Sequence, residues 1–106
     1  MTLSLGDAQT LVDDWVHSIG VRYFSELTNT AILMEEVGEV ARVMARQYGD
    51  QSNKPSDASV DLGEEMADVL FVLLCLANQT DVDLERAFLD KMERRTERDR
   101  ERHRSN

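Results

Sequence analysis

The chain is poor in residues that break helices and in residues that staple a fold. Its 106 positions hold one proline, Pro55, one cysteine, Cys75, and five glycines, and aromatic side chains make up 6%. So few turn formers exclude a fold of many short strands. A lone cysteine excludes a disulfide framework and suits a reducing compartment, so a cytoplasmic location is expected. Residues 1–10 carry neither a basic start nor a long apolar run, so no secretory leader is expected. The longest apolar run is "VLFVLLCLA", 69–77. It is far shorter than the ~20 residues that span a bilayer as a helix. It reads as a helix segment buried on most sides, with no membrane partner. What is present is 42% hydrophobic residues in a length that suits one domain, 1–106, with one core.

Positive charge is also scarce, and the formal net charge is −9. Nucleic acid is therefore excluded as a direct partner, because its phosphates would be repelled. A phosphate ligand that arrives with divalent cations is not excluded. Residues 85–104 hold eight Lys/Arg against six Asp/Glu, a net of +2, which leaves −11 on the rest of the chain. An acidic body with a mildly basic final segment suggests a cation site beside an anion site.

Four helical segments are predicted. The first runs over about 7–19, where Ala8, Leu11, Val12, Trp15, Val16 and Ile19 recur at helical spacing and Gly20 offers a stop. "VRYF", 21–24, is a short connector. Ser25 caps a second helix over about 26–48. Residues 49–59, "GDQSNKPSDAS", read as a loop. A third helix covers about 60–79, and Asp83 caps a fourth over about 84–102. The fourth has no apolar residue beyond Met92, so a charged tail from about 99 is expected to be solvated, frayed or laid on a partner. The fold class is all-α, a four-helix bundle. Helix 3 is apolar on several faces and must be covered on several faces. A homo-oligomer, tetramer or dimer, is expected to complete the bundle, with helix 3 and helix 2 against another subunit.

Carboxylates interrupt this apolar pattern. "LMEEVGEV", 33–40, and "LGEEMADV", 62–69, match position for position, with Glu36 and Glu39 answered by Glu65 and Asp68. A helix turns about 100° per residue. Ile32, Val40 and Val43 therefore lie within about 40° of Glu36, with Glu39 about 60° to one side. Val69, Val72 and Leu76 flank Glu65 in the same way, with Asp68 about 60° away. Glu35 and Glu64 sit at the polar margin, and Arg42 and Arg46 are expected on the opposite flank. One ExxE pair is usually a solvated helix face, but two pairs in matching register within apolar stripes are not easily reached by chance.

Ionised carboxylates in an apolar setting are costly, and mutual repulsion adds to the cost. A divalent cation resolves the conflict. All the ligands are oxygens, which points to a hard ion, Mg²⁺ or Mn²⁺ in its place. Such an ion keeps positions for water and phosphate oxygens, so a metal-dependent reaction on a phosphorylated ligand is implied. A di-iron carboxylate bundle needs Glu-x-x-His pairs, and His17 and His103 are not at that spacing.

"EEVGE" at 35–39 and "EEMAD" at 64–68 resemble the ExxE…ExxD signature of the MazG-like all-α nucleoside triphosphate pyrophosphohydrolases. Dimeric dUTPases, dCTP pyrophosphatases and phosphoribosyl-ATP pyrophosphohydrolases belong to the same group. The resemblance covers roughly residues 22–95. It implies an Mg²⁺-dependent house-cleaning hydrolase that splits a nucleoside triphosphate, deoxy or non-canonical, between its α and β phosphates. It also implies that Glu36, Glu39, Glu65 and Asp68 hold the metal, and that Glu35 or Glu36 orients or deprotonates the water. The family's basic segment after the start of the last helix matches "KMERR", which gives Lys91 and Arg95 the phosphates. Lys54, in the loop, is a further phosphate candidate or a plain solvated lysine. Some dCTP-cleaving members have Asn where Arg95 stands and Tyr where Val72 stands, which argues against dCTP.

For the base, Trp15, Tyr23, Phe24, Asn29 and Asn78 offer apolar and polar contacts. Trp15 suits a core position as well, and Asn78 suits a helix terminus. Two other readings stand beside the hydrolase: a non-enzymatic helical interaction or regulatory module with an acidic groove, and phosphoribosyl-ATP pyrophosphohydrolase.

Overall fold

The structure is a computed structural model, which describes residues 2–49 and 61–104. Four helices and no strand occur among the described residues: α1 (Leu5–Ser18), α2 (Glu26–Tyr48), α3 (Leu62–Gln79) and α4 (Leu84–Arg104). The all-α expectation holds, and no described helix is long and apolar enough to cross a membrane.

Each helix starts where a side chain can occupy its orphan N–H groups. Ser25 accepts from the Thr28 amide (3.2 Å), Asp61 from Gly63 (2.8 Å) and Asp83 from Arg86 (3.1 Å). Helix α1 begins two residues ahead of the expected start. Ser4 accepts from the Asp7 amide (3.0 Å) while Asp7 accepts from the Ser4 amide (3.2 Å), a reciprocal cap. At the other end, Gly20 follows the cap residue Ile19 but is not left-handed. It is small because a Cβ there would sit 3.1 Å from the Trp15 ring and 3.2 Å from the Val16 carbonyl. The left-handed residue is Val21, at φ 76°. A β-branched residue there is strained.

The core is small. Ala8, Val12 and Val16 form one face of α1 and pack on Leu74 and Cys75 of α3, with Tyr23 and Leu84 at the rim. Helices α2 and α3 pair along their lengths, and α1 lies on α3. A polar clip fixes α1 against the α3–α4 turn. Gln9 Nε2 donates to Asn78 Oδ1 (3.0 Å) and to the Val82 carbonyl (2.8 Å), while Gln9 Oε1 accepts from the Leu84 amide (2.9 Å). Asn78 Nδ2 donates to the Gln9 carbonyl and to the Tyr23 hydroxyl, both at 2.9 Å, and that hydroxyl donates to Asp13 (2.6 Å).

Helix α4 meets the rest of the chain mainly at α1 and stays helical to Arg104, slightly past the expected end. The Cα radius of gyration is 17.5 Å, against about 13 Å for a compact domain of this length. The accessible surface is 8234 Å², against roughly 6,000 Å² for a monomer of this mass. Exposed apolar stripes account for part of the excess: Met34, Val37 and Met44 on α2, Met66, Leu70 and Leu73 on α3, and Phe88, Leu89 and Met92 on α4.

Val21→Gly is expected to raise stability by about 1 kcal/mol, because glycine adopts a positive φ without strain. Urea unfolding checks this. An unchanged or lowered midpoint means that Val21 side-chain packing outweighs its backbone strain.

Candidate metal and nucleotide site

Helices α2 and α3 run side by side with their acidic turns level. The twin motifs therefore meet. Carboxylate oxygens of Glu36, Glu65 and Asp68 all lie within 4.8 Å of one another. Two oxygens on one hard cation stand at most about 4–5 Å apart, so this set fits an ion of the magnesium or manganese type. Nitrogen and sulfur donors are missing from the cluster, which disfavours softer metals.

The electrostatic conflict falls on Glu36. Its carboxyl is pushed above the usual range, first by desolvation and then by the charges of Asp68, Glu65, Glu39 and Glu35. Glu39 stands outside the three-oxygen cluster. Its side chain pairs with Arg42 at 3.2 Å. Arg42 therefore does not keep to the opposite flank: three residues on from Glu39, its long stem reaches back along the helix. Glu35 is exposed at the margin, as is Glu64.

A cavity of about 400 Å³ opens beside this cluster, with Glu36 and Asp68 in its wall. Its other surfaces are largely apolar. Trp15 and Phe71 meet edge to face, with ring centroids 5.7 Å apart at 87°. Trp15, one of the two expected alternatives for core or base contact, is 47% exposed and lines this cavity. Tyr23, Phe24, Ile32, Val72 and Cys75 complete the apolar wall. Tyr23 is held by the Asp13–Asn78 bonds, and its hydroxyl is pushed up to about 12 by burial and by Asp13. Burial also raises the Cys75 thiol, so it stays protonated and serves as a wall rather than a nucleophile.

Asn29 lines the cavity and is only 5% exposed. Asn78 is not among the wall residues. Its amide is fully engaged by Gln9 and Tyr23, so it braces the fold behind the cavity. Lys91 and Arg95 do not line the cavity either; they share a hollow on α4 with Arg94 and Arg98. The reason is that α4 makes its main contact with α1 rather than with α2 or α3. Lys54 lies outside the described residues.

Two wall residues escape a reading of the sequence. Phe71 follows Asp68 by three positions, so helical spacing already puts both on one side of α3. Arg22 has no such signal. It lines the cavity from the connector, directly after the left-handed Val21.

Comparison with known proteins finds relatives that share the fold. Residues 24–102 match the model of the MazG nucleotide pyrophosphohydrolase domain. The chain is 39% identical over 99 residues to YpjD of Bacillus subtilis (strain 168), covering 93% of this chain and 89% of that protein. The crystal structure of YpjD, a candidate pyrophosphatase, superposes with a TM-score of 0.77 over 88% of this chain and 93% of that one. A Bacillus-conserved MazG protein, a nucleotide pyrophosphohydrolase, superposes with a TM-score of 0.71 at 35% identity, covering 88% and 89% of the two chains.

The raised Glu36 carboxyl sets a pH dependence in the cation-free protein. Folded Glu36 binds its proton more tightly than the unfolded side chain does, so stability falls as pH rises from about 4.5 through the raised value. Glu36→Gln is expected to flatten that slope and to raise the melting temperature at neutral pH in chelator. A variant that melts lower than the parent in chelator at pH 7 refutes this account of the repulsion.

Proposed function

The chain belongs to the MazG nucleotide pyrophosphohydrolase family, and we propose that it hydrolyses a deoxy or non-canonical nucleoside triphosphate to the monophosphate and pyrophosphate. The observation that carries this reading is the three-carboxylate cluster set in the wall of an apolar cavity. One end suits a cation-bound phosphate chain and the other suits a flat base. Such a reaction serves a house-cleaning role in the cytoplasm.

In this reading Glu36, Glu65 and Asp68 would hold Mg²⁺, with Mn²⁺ as a substitute, and Glu39, now paired with Arg42, would be the fourth acid available to it. The ion would neutralise phosphate charge and lower the pKa of a bound water. Glu36 would be committed to the ion. Glu35, at the margin and outside the three-oxygen cluster, is then the group that orients the water and takes its proton. The water oxygen bonds to phosphorus, the bridging oxygen leaves, and the proton passes to the carboxylate. Trp15, Phe71 and Tyr23 enclose the base and shield the reacting end from bulk water.

The phosphate role of Lys91 and Arg95 needs a second copy of the chain, because α4 makes its main contact with α1 rather than with α2 or α3. The uncovered stripes of α2, α3 and α4 support that assembly, a dimer or tetramer. Lys54 is a further phosphate contact in this reading.

Two measurements test the proposal. Pyrophosphate release from a panel of nucleoside triphosphates, with phosphoribosyl-ATP included, is expected to need Mg²⁺ or Mn²⁺ and to fall at least about 100-fold in Asp68→Ala. Orthophosphate as the direct product, or activity that survives chelation, contradicts it. Sedimentation is expected to give a dimer or larger, and Leu70→Glu with Leu73→Glu is expected to shift it toward monomer. A monomeric parent protein rules out the assembly.

A further inference from the structure

We propose that Asn29 selects the base by its hydrogen-bond polarity, favouring nucleotides with an exocyclic amino group over their keto counterparts: the adenine type and, against the departures at Val72 and Arg95, the cytosine type. The inference rests on the nucleotide pyrophosphohydrolase reading above and names the substrate class of the same cavity.

The argument starts from two acceptors at the N-terminal end of α2. The Phe24 carbonyl is backbone and can only accept. Glu26 offers a carboxylate oxygen, Oε1, as an acceptor. Both face the side-chain amide of Gln79, at the end of α3. Gln79 must therefore turn its NH₂ toward them, and it donates to the Phe24 carbonyl and to Glu26 Oε1 (3.2 Å). A flipped Gln79 would set its oxygen against two acceptors.

That orientation dictates the next one. Gln79 Oε1 now faces Asn29, which must answer with its own NH₂. Asn29 Nδ2 donates to Gln79 Oε1 at 2.8 Å and to the Phe24 carbonyl at 3.4 Å. Both N–H groups are spent. Asn29 Oδ1 has no protein partner. Yet no buried side-chain oxygen or nitrogen among the described residues is left both unpaired and sealed from solvent. Oδ1 therefore keeps some solvent contact, and the open space that Asn29 borders is the 400 Å³ cavity. With the residue only 5% exposed, the cavity holds a locked acceptor that cannot flip to become a donor.

A base that enters with its sugar toward the carboxylates leads with the substituent opposite the glycosidic bond. On a cytosine or adenine type that group is NH₂, which gives Oδ1 an N–H···O bond. On a uracil or hypoxanthine type it is a carbonyl oxygen, which meets Oδ1 lone pair to lone pair. The ring N–H of a keto base is recessed behind that carbonyl. A site built this way discriminates by attraction to one base and repulsion of the other.

The test uses wild-type protein and matched pairs: dCTP against dUTP, and dATP against dITP. In at least one pair the amino member is expected to have a kcat/KM at least about tenfold higher. Asn29→Leu is expected to bring that ratio to within about threefold. Gln79→Leu, outside the cavity wall, frees the Asn29 amide to turn and is expected to shrink the ratio as well. Binding of the corresponding monophosphates, read from the fluorescence of Trp15, reports the same preference without hydrolysis. Equal efficiencies and affinities within both pairs, or a keto preference, overturn the proposal even if pyrophosphate is released. Absence of pyrophosphate release with an amino preference in binding overturns the hydrolase reading and leaves the polarity of Asn29 standing.

Discussion

Mutual repulsion among carboxylates is the constraint on which the rest of the molecule depends. Glu36, Glu65 and Asp68 are brought together by the pairing of α2 and α3, and the same pairing builds the chain's main helix contact. Hydrophobic association of two helices thus forces like charges into proximity. The fold tolerates this because the cluster sits where the apolar stripe opens into a cavity rather than in a sealed core. Full burial would have driven at least one of the three to keep its proton. Partial exposure leaves them open to solvent.

Around this constraint the molecule separates its supports from its working surfaces. The Gln9–Asn78–Tyr23 clip holds α1, α3 and the α3–α4 turn with hydrogen bonds that leave few polar groups for a ligand. The apolar core of Ala8, Val12, Val16, Leu74 and Cys75 fixes how α1 lies on α3. The cavity wall is then supplied by residues on the outer margin of that contact. Asn29 is the exception, since its amide belongs to a structural relay on one side and to the cavity on the other.

Much of the fold was legible because its signals are local. Ser25 and Asp83 mark helix starts, and the 3.6-residue spacing of apolar side chains identifies the helices themselves. Three of the four paired acids, Glu36, Glu65 and Asp68, were legible as a cluster because the pairs violate that spacing twice in the same register. Other features depend on tertiary geometry. That Arg42 reaches Glu39 follows from side-chain length, which a helical wheel does not represent. That α4 starts beside α1 rests on Gln9, a residue with no distinguishing pattern, which accepts from the Leu84 amide. Asn78 and Asn29 read alike in the sequence, yet one is saturated by partners and the other keeps a free oxygen. Only the positions of their neighbours separate them.

Trp15 and Phe71 are wall residues with substantial solvent contact, 47% and 37%, and neither belongs to the central core cluster. Changing either ring therefore disturbs little of the packing that keeps the helices together. Over generations, drift at these two positions can reshape what the hollow accepts while the scaffold and its acidic turns stay intact. A small protein with little stability to spare thereby gains room to explore new ligands.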